Sequence, residues 1–328
     1  MTATVYGLGP LERWLDDDDV SEVLVNAGTE VWVERHVGPP GPQYVGRLAP
    51  GAIDAIIEHI LRPVGRRLDR SSPVVDARLA DGSRVCAVLP PVSLDGPCLA
   101  VRKFGRHQID LHQFAAPPVE AMLRDIVRHR CNTVVSGATS SGKTTLLNAL
   151  AAAIEASERI ITLEDTAELR LRSPHVLRLE TRPATADGLS AIAMTDLLRT
   201  ALRLRPDRLV VGEIRGDEAT ELMQALNTGH DGSLATVHAN GPSDALARIE
   251  SLVVRTNGGW PMAAVRDQVH RCIDVIVHVE RSSTGQRHVA EIAEVNPPLA
   301  MTEMGTGSRV RLLAARDVVV GSLQRGRR

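Results

Sequence analysis

Aromatic residues are scarce, with three Trp, two Tyr and two Phe in 328 residues. A core must therefore be built from Leu, Val, Ile and Ala, and few rings are left to stack on single-stranded nucleic acid. Cysteine is equally thin. Cys86, Cys98, Cys131 and Cys272 are widely separated and form no C-x-x-C pair, which argues against a zinc ribbon or a disulfide framework. An excess of one charge is lacking too. The 38 Lys and Arg nearly balance the 40 Asp and Glu, and a net charge of −2 gives no general attraction to nucleic acid or to an anionic membrane. No apolar run approaches the ~18 residues of a membrane span. The N-terminal "MTATVYGLGPLERW" has neither the basic start nor the apolar core of a secretory signal. Together these absences predict a reduced, cytoplasmic protein.

What is present reads as two globular domains, with 43% apolar and 24% charged residues. In the front part, "SEVLVNAGTEVWVER" alternates like two strands about a turn at Ala27-Gly28. "AIDAIIEHILRPV" has helical spacing, and "SSPVVDARLADGSRVCAVLPP" reads as strand, turn and strand. "HVGPPGPQYVG" reads as a turn-rich insert, and the acidic run Asp16–Asp19 as a solvated start of a helix. A linker, "FAAPPVEAML", ends at Pro117-Pro118 on a helix start, where proline is tolerated. Beyond it, "NTVVSG", "RIITLE", "HVLRLE", "RLVVGE" and "SLATVH" alternate with helical segments, which predicts a parallel sheet covered on both faces. The expected domains are 1–115, α+β, and 116–328, α/β with a C-terminal appendage ending in a frayed "QRGRR".

The chemistry concentrates in "GATSSGKT", Gly137 to Thr144, which satisfies G-x-x-x-x-G-K-S/T at every fixed position. It lies between an apolar strand and a helix, as a phosphate-binding loop requires. The amides of Gly137, Ala138, Thr139, Ser140, Ser141, Gly142, Lys143, Thr144 and Thr145 can surround a triphosphate. Lys143 reaches the β- and γ-phosphates, and the Thr144 hydroxyl is a ligand for Mg²⁺. The expected cofactors are thus ATP and Mg²⁺. At the end of "DRLVVGEIRG", Glu213 is placed to orient or deprotonate water; the alternative is a surface ion-pair glutamate. Gly212 offers no carboxylate to a metal. Glu164, Asp165 and Glu168 in "ITLEDTAEL" could supply one instead, with Glu164 holding Mg²⁺ through its waters; the alternative is an acidic helix start favoured by the dipole. In "GHDGSLATVHAN", His230 and His238 are open to three readings: a metal site, a core or capping role, or a sensor of something charged beside the strand.

These stretches in this order resemble the secretion-superfamily ATPases, the motors of type II secretion, type IV pili and type IV secretion. "RLETRP", "ALRLRPDRLVVGEIRG" and "NTGHDGSLATVHAN" look most like the branch of tight-adherence (Flp-type) pilus assembly and conjugal transfer. The resemblance is strong from Val119 to about Val295 and weaker in the front. It implies a RecA-like P-loop NTPase domain with a parallel-rich sheet behind a smaller α+β (PAS-like) domain that closes over the nucleotide. It also implies an ATPase that powers pilus assembly or protein secretion from the inner face of the cell membrane. As partners it implies a ring, by analogy of six copies, and an inner-membrane platform protein; no specific nucleic acid is expected. Glu213, Glu164, Lys143 and His238 become the catalytic candidates, with His238 a γ-phosphate sensor. His230, Arg78, Arg84 and Arg102 become nucleotide-binding candidates, and Arg203 and Arg205 serve the site or a subunit boundary. The competing expectation is a nucleic-acid-translocating ATPase of a conjugation system.

Overall fold

The computed structural model describes residues 7–35, 38–39, 41–103, 109–182, 184, 190–256, 259–282, 284–296 and 310–325. The chain forms two compact units, the first Met1–His107 with Ser283–Gly285 and the second Gln108–Ser282 with Gln286–Arg328. The division comes at 107/108, ahead of the expected 115/116, because Leu111, Phe114 and Ala115 are buried in the second unit's core.

The first unit is a PAS-like arrangement of an antiparallel sheet with a helix on one face. A short helix α1 (Glu12–Leu15) leads into β1 (Val20–Asn26), β2 (Glu30–Arg35) and β3 (Gln43–Arg47). Helix α2 (Ala52–Leu61) follows, then β4 (Val74–Arg78), β5 (Arg84–Val88) and β6 (Cys98–Arg102). The sheet order is β3-β2-β1-β6-β5-β4. Ile53, Ile56, Ile57 and Ile60 recur at helical spacing on α2 and meet Val23, Val25, Val31, Val33, Val85, Leu99 and Val101 from alternate strand positions. Two strands differ from the sequence expectation. Gln43–Arg47, inside the apparent turn-rich insert, pairs antiparallel with β2 as an edge strand. Cys98–Arg102 lies centrally, between β1 and β5, although its five residues carry little pattern of their own. The acidic run also sits differently: it follows α1 rather than starting a helix. Asp17 accepts from Arg35 Nη1 at 2.8 Å and from the Asp19 amide at 3.0 Å, and the Arg35 hydrogen bond holds its carboxyl below the ordinary range.

The second unit follows the predicted alternation. Its elements are α3 (Pro117–Arg128), β7 (Thr133–Gly137), α4 (Lys143–Ala151), β8 (Ile160–Glu164), β9 (Val176–Glu180), α5 (Met194–Leu202) and β10 (Arg208–Val211). They continue with α6 (Glu218–Leu226), β11 (Leu234–His238), α7 (Pro242–Thr256), α8 (Met262–Cys272), β12 (Val275–Arg281), β13 (Arg287–Val295), β14 (Val310–Ala315) and β15 (Val318–Val319). The sheet order is β15-β14-β13-β12-β7-β11-β10-β8-β9. From β12 to β9 every pair is parallel; β13, β14 and β15 add on antiparallel. Strands β7, β8 and β10 are buried at every residue, as a parallel sheet covered on both faces requires. Helices α3 and α4 contribute Leu123, Ile126, Leu146 and Leu150 to one face, and α5 to α8 pack on the other. Burying each such side chain contributes about 1.5–3 kcal/mol.

The end of the chain is held rather than frayed as far as Arg325; the last three residues lie outside the described ones. Glu294 accepts from the amides of Gln324 and Arg325 at 2.7 and 2.5 Å. The Arg325 guanidinium donates to the carbonyls of His270, Ile273 and Val295 at 2.9, 2.9 and 3.1 Å and reaches Asp274 at 3.0 Å. It thereby satisfies carbonyls that the end of α8 would leave orphaned. Among the described residues no helix is long and apolar enough to cross a membrane.

Candidate active site

The carboxyl ends of β7, β11, β10 and β8 stand side by side, and each delivers a candidate residue. Gly137 ends β7 and opens the loop, and Lys143 begins α4. The helix has no side-chain cap, so its first amides are available to an anion, reinforced by the positive end of the helix. Ser140 holds φ 60° and Gly142 φ 103°. Only glycine suits position 142, because a Cβ there would also lie 2.6 Å from Arg287 Cδ.

The parallel register sets His238 beside Gly137. Lys143 Nζ donates to Ala138 O at 2.8 Å and to His238 Nδ1 at 3.1 Å. On the other side of the ring, His238 Nε2 is 3.1 Å from Glu213 Oε1. An ammonium only donates and a carboxylate only accepts, so the imidazole is neutral with its proton on Nε2. Its pKa is pushed down, first by burial and then by the Lys143 charge. Glu213 also accepts from Arg215 Nη2 at 2.5 Å, and Arg215 Nη1 lies 3.5 Å from Asp165 Oδ2. Asp165, Arg215, Glu213, His238 and Lys143 thus form one continuous polar chain over the loop.

Glu164 ends β8 and is 2% exposed. Its Oε1 accepts from the amides of Glu168 and Leu169 at 2.7 and 2.8 Å. Its Oε2 has no hydrogen-bond partner among the described residues. Burial pushes the carboxyl up to about 7, against the lowering effect of those two amides. Glu164 occupies the space beside Gly212, where a Cβ would come 3.1 Å from its Cγ. The missing side chain just past β10 is thus what lets a carboxyl group from β8 approach.

Other candidates lie elsewhere. His230 precedes the opposite end of β11, roughly 15 Å from His238 by the rise of the strand, and its Nδ1 donates to Ala225 O at 3.0 Å. Arg203 and Arg205 also fall at that far edge, before β10. Arg78, Arg84 and Arg102 belong to the first unit. There the register pairs Arg78 with Arg84 and Arg84 with Arg102, so all three share one face at one end of β4, β5 and β6.

The sequence profile of the Type II/IV secretion system protein family matches residues 5–313. The chain belongs to that family. Among its relatives is a Mycobacterium tuberculosis protein with a provisional conjugal-transfer name, 41% identical over 299 residues that cover 88% of this chain and 84% of the relative. The VirB11 ATPase from the Brucella suis type IV secretion system, solved in complex with sulphate, is 28% identical with a TM-score of 0.50, covering 89% of this chain and 95% of that one. The ATPase DotB of Legionella pneumophila shares the fold at 18% identity, with a TM-score of 0.62 over 89% of this chain and 82% of its own.

Within this secretion-family site, two residues carried no signal that sequence reasoning used. Arg215 stands in the quoted "GEIRG", but its grip on Glu213 depends on how the chain turns after β10. His278, on β12, pairs in register with Ser136 and bonds its hydroxyl at 2.9 Å from behind the loop. Only the strand order brings it there.

Proposed function

We propose that the chain is an ATP-hydrolysing motor of a secretion or pilus-assembly machine, acting at the inner face of the cell membrane. The observation that carries this reading is the polar chain from Lys143 through His238 to Glu213, held over GATSSGKT at the carboxyl edge of a parallel sheet. Ligands of open α/β sheets bind at that edge. In this reading the loop amides take the phosphates, and Lys143 reaches the terminal ones. Glu213 orients and deprotonates the attacking water. A phosphate that draws Lys143 away from His238 Nδ1 is felt at Glu213 through one neutral imidazole ring. Magnesium fits the residues present: the Thr144 hydroxyl stands in the first turn of α4, and the Glu164 carboxyl has a buried oxygen next to Gly212 with no hydrogen-bond partner among the described residues. Thr144 and Glu164 would hold the ion, which would supply positive charge against the charge that develops on the phosphates.

The row of Arg78, Arg84 and Arg102 on the first unit offers three guanidinium groups of the kind that match phosphate oxygens. His230, at the far end of β11, suits contact with a neighbouring copy in a ring of six, which would work on a platform protein in the membrane. The test is ATP turnover and binding with Mg²⁺. Lys143→Ala is expected to lose binding. Glu213→Gln is expected to bind as wild type and to lose about 10²- to 10⁴-fold in turnover; unchanged turnover would refute its role. The conjugal-transfer name of the M. tuberculosis relative favours a second reading, a nucleic-acid-translocating ATPase. Turnover stimulated by DNA and steeply weakened by salt would select that reading, and turnover indifferent to DNA the secretion motor.

A further inference from the structure

Arg287 opens β13, in a stretch, "TGQRHVAEIAEV", that carries no phosphate motif. Its side chain nevertheless lies along the loop. A Cβ on Gly142 would come 2.6 Å from its Cδ, 3.3 Å from its Nε and 3.4 Å from its Cγ. Its Nη1 donates to Thr145 Oγ1, in the first turn of α4, at 3.4 Å. A permanent cation and the positive end of a helix therefore converge on one point, and both favour an anion there.

The sheet order says which part of a nucleotide meets that point. Glu213 follows β10, and His238 and Glu164 end β11 and β8, all on one flank of β7. Arg287 comes from β13, two strands away on the other flank. A nucleotide on the loop with its terminal phosphate toward Glu213 directs its α-phosphate and nucleoside toward Arg287. We infer that Arg287 is a nucleotide-binding residue supplied by the β12–β13 hairpin, and that its guanidinium engages the α-phosphate of a nucleoside di- or triphosphate. The inference rests on the loop being the ATP site proposed above.

The α-phosphate is common to ATP and ADP and is not a reacting centre. Its contact is therefore uniform binding, which shows in affinity and KM rather than in kcat. The decisive measurement is calorimetric affinity of the full chain, with Mg²⁺, for ADP and a non-hydrolysable ATP analogue, alongside steady-state ATP turnover. Arg287→Ala is expected to weaken both ligands by the same factor, about tenfold, the scale of one charge-assisted hydrogen bond, with kcat within about twofold of wild type. Sulfur in place of an α-phosphate oxygen should weaken binding to wild type, and that penalty should shrink in Arg287→Ala while a β-phosphate sulfur keeps its own. Arg287→Lys keeps the stem over Gly142 and the charge but loses the planar fork. It should bind with intermediate affinity, and it serves as the folded comparison if the Ala variant melts early. Unchanged ADP affinity in both variants, or a fall in kcat at constant affinity, overturns the assignment. If wild type binds ATP, Lys143→Ala does not, and Arg287→Ala is like wild type, only the Arg287 assignment fails. If wild type itself does not bind ATP, the reading beneath it fails.

Discussion

Glu164 shows what one buried carboxyl does. Its pKa is raised from 4.5 to about 7 by burial, so between those values the folded chain binds a proton that the unfolded chain releases. Its contribution to stability is then fully present below pH 4.5 and is lost as pH rises toward 7. The loss is on the order of 3 kcal/mol. Glu164→Gln, which resembles the protonated acid, should therefore melt higher than wild type at pH 8 and match it near pH 4.5. Scanning calorimetry across that range checks this, and equal melting at pH 8 would contradict it.

Between elements, the far edge of the second sheet depends on Arg208. Its side chain is 2% exposed and pairs with Glu158 at 2.6 and 2.8 Å. It also donates to Gly232 O at 2.9 Å and Val127 O at 3.2 Å. One guanidinium thus ties the end of α3, the approach to β8, and the approach to β11 to the first residue of β10. Arg208→Ala should destabilise the protein by about 3–5 kcal/mol, because it leaves a buried carboxylate short of its main partner. Denaturant unfolding measures this. Nucleotide affinity under native conditions should persist, since the phosphate loop lies at the opposite edge of the same strands.

For the molecule as a whole, the first unit carries Arg78, Arg84 and Arg102 as a row, and like charges directly opposite one another destabilise a sheet by about a few tenths of a kcal/mol. In the proposed function the row is a source of positive charge for phosphate. Arg84→Ala should lower kcat by about 10-fold or more while leaving ADP affinity within a few-fold. If copies must assemble to complete the site, turnover per chain should rise with protein concentration, in step with the assembly seen by analytical ultracentrifugation. A rate per chain independent of concentration, with a monomer throughout, would remove the ring from the proposal.

Much of this was legible in the linear sequence because its causes are local. Strand, glycine-rich loop and helix follow one another at Gly137–Thr144, and apolar runs alternate with helical periods through the second unit, so the α/β fold and the loop could be read residue by residue. The short strands Gln43–Arg47 and Cys98–Arg102 could not, because they exist through pairing with distant segments rather than through pattern. The same reason separates the candidates. Which histidine stands by the loop follows from β11 running parallel beside β7, which sets His238 at the phosphate edge and His230 at the other. That Glu164 fills the place beside Gly212 and that Arg287 lies across Gly142 follow from strand order, a contact between residues far apart in the chain; that Arg215 grips Glu213 follows from the turn the chain makes after β10. Sequence determined the segments and their chemistry; only tertiary structure decided their neighbours, because backbone pattern is a property of adjacent residues and a site is a property of strands brought together in folding.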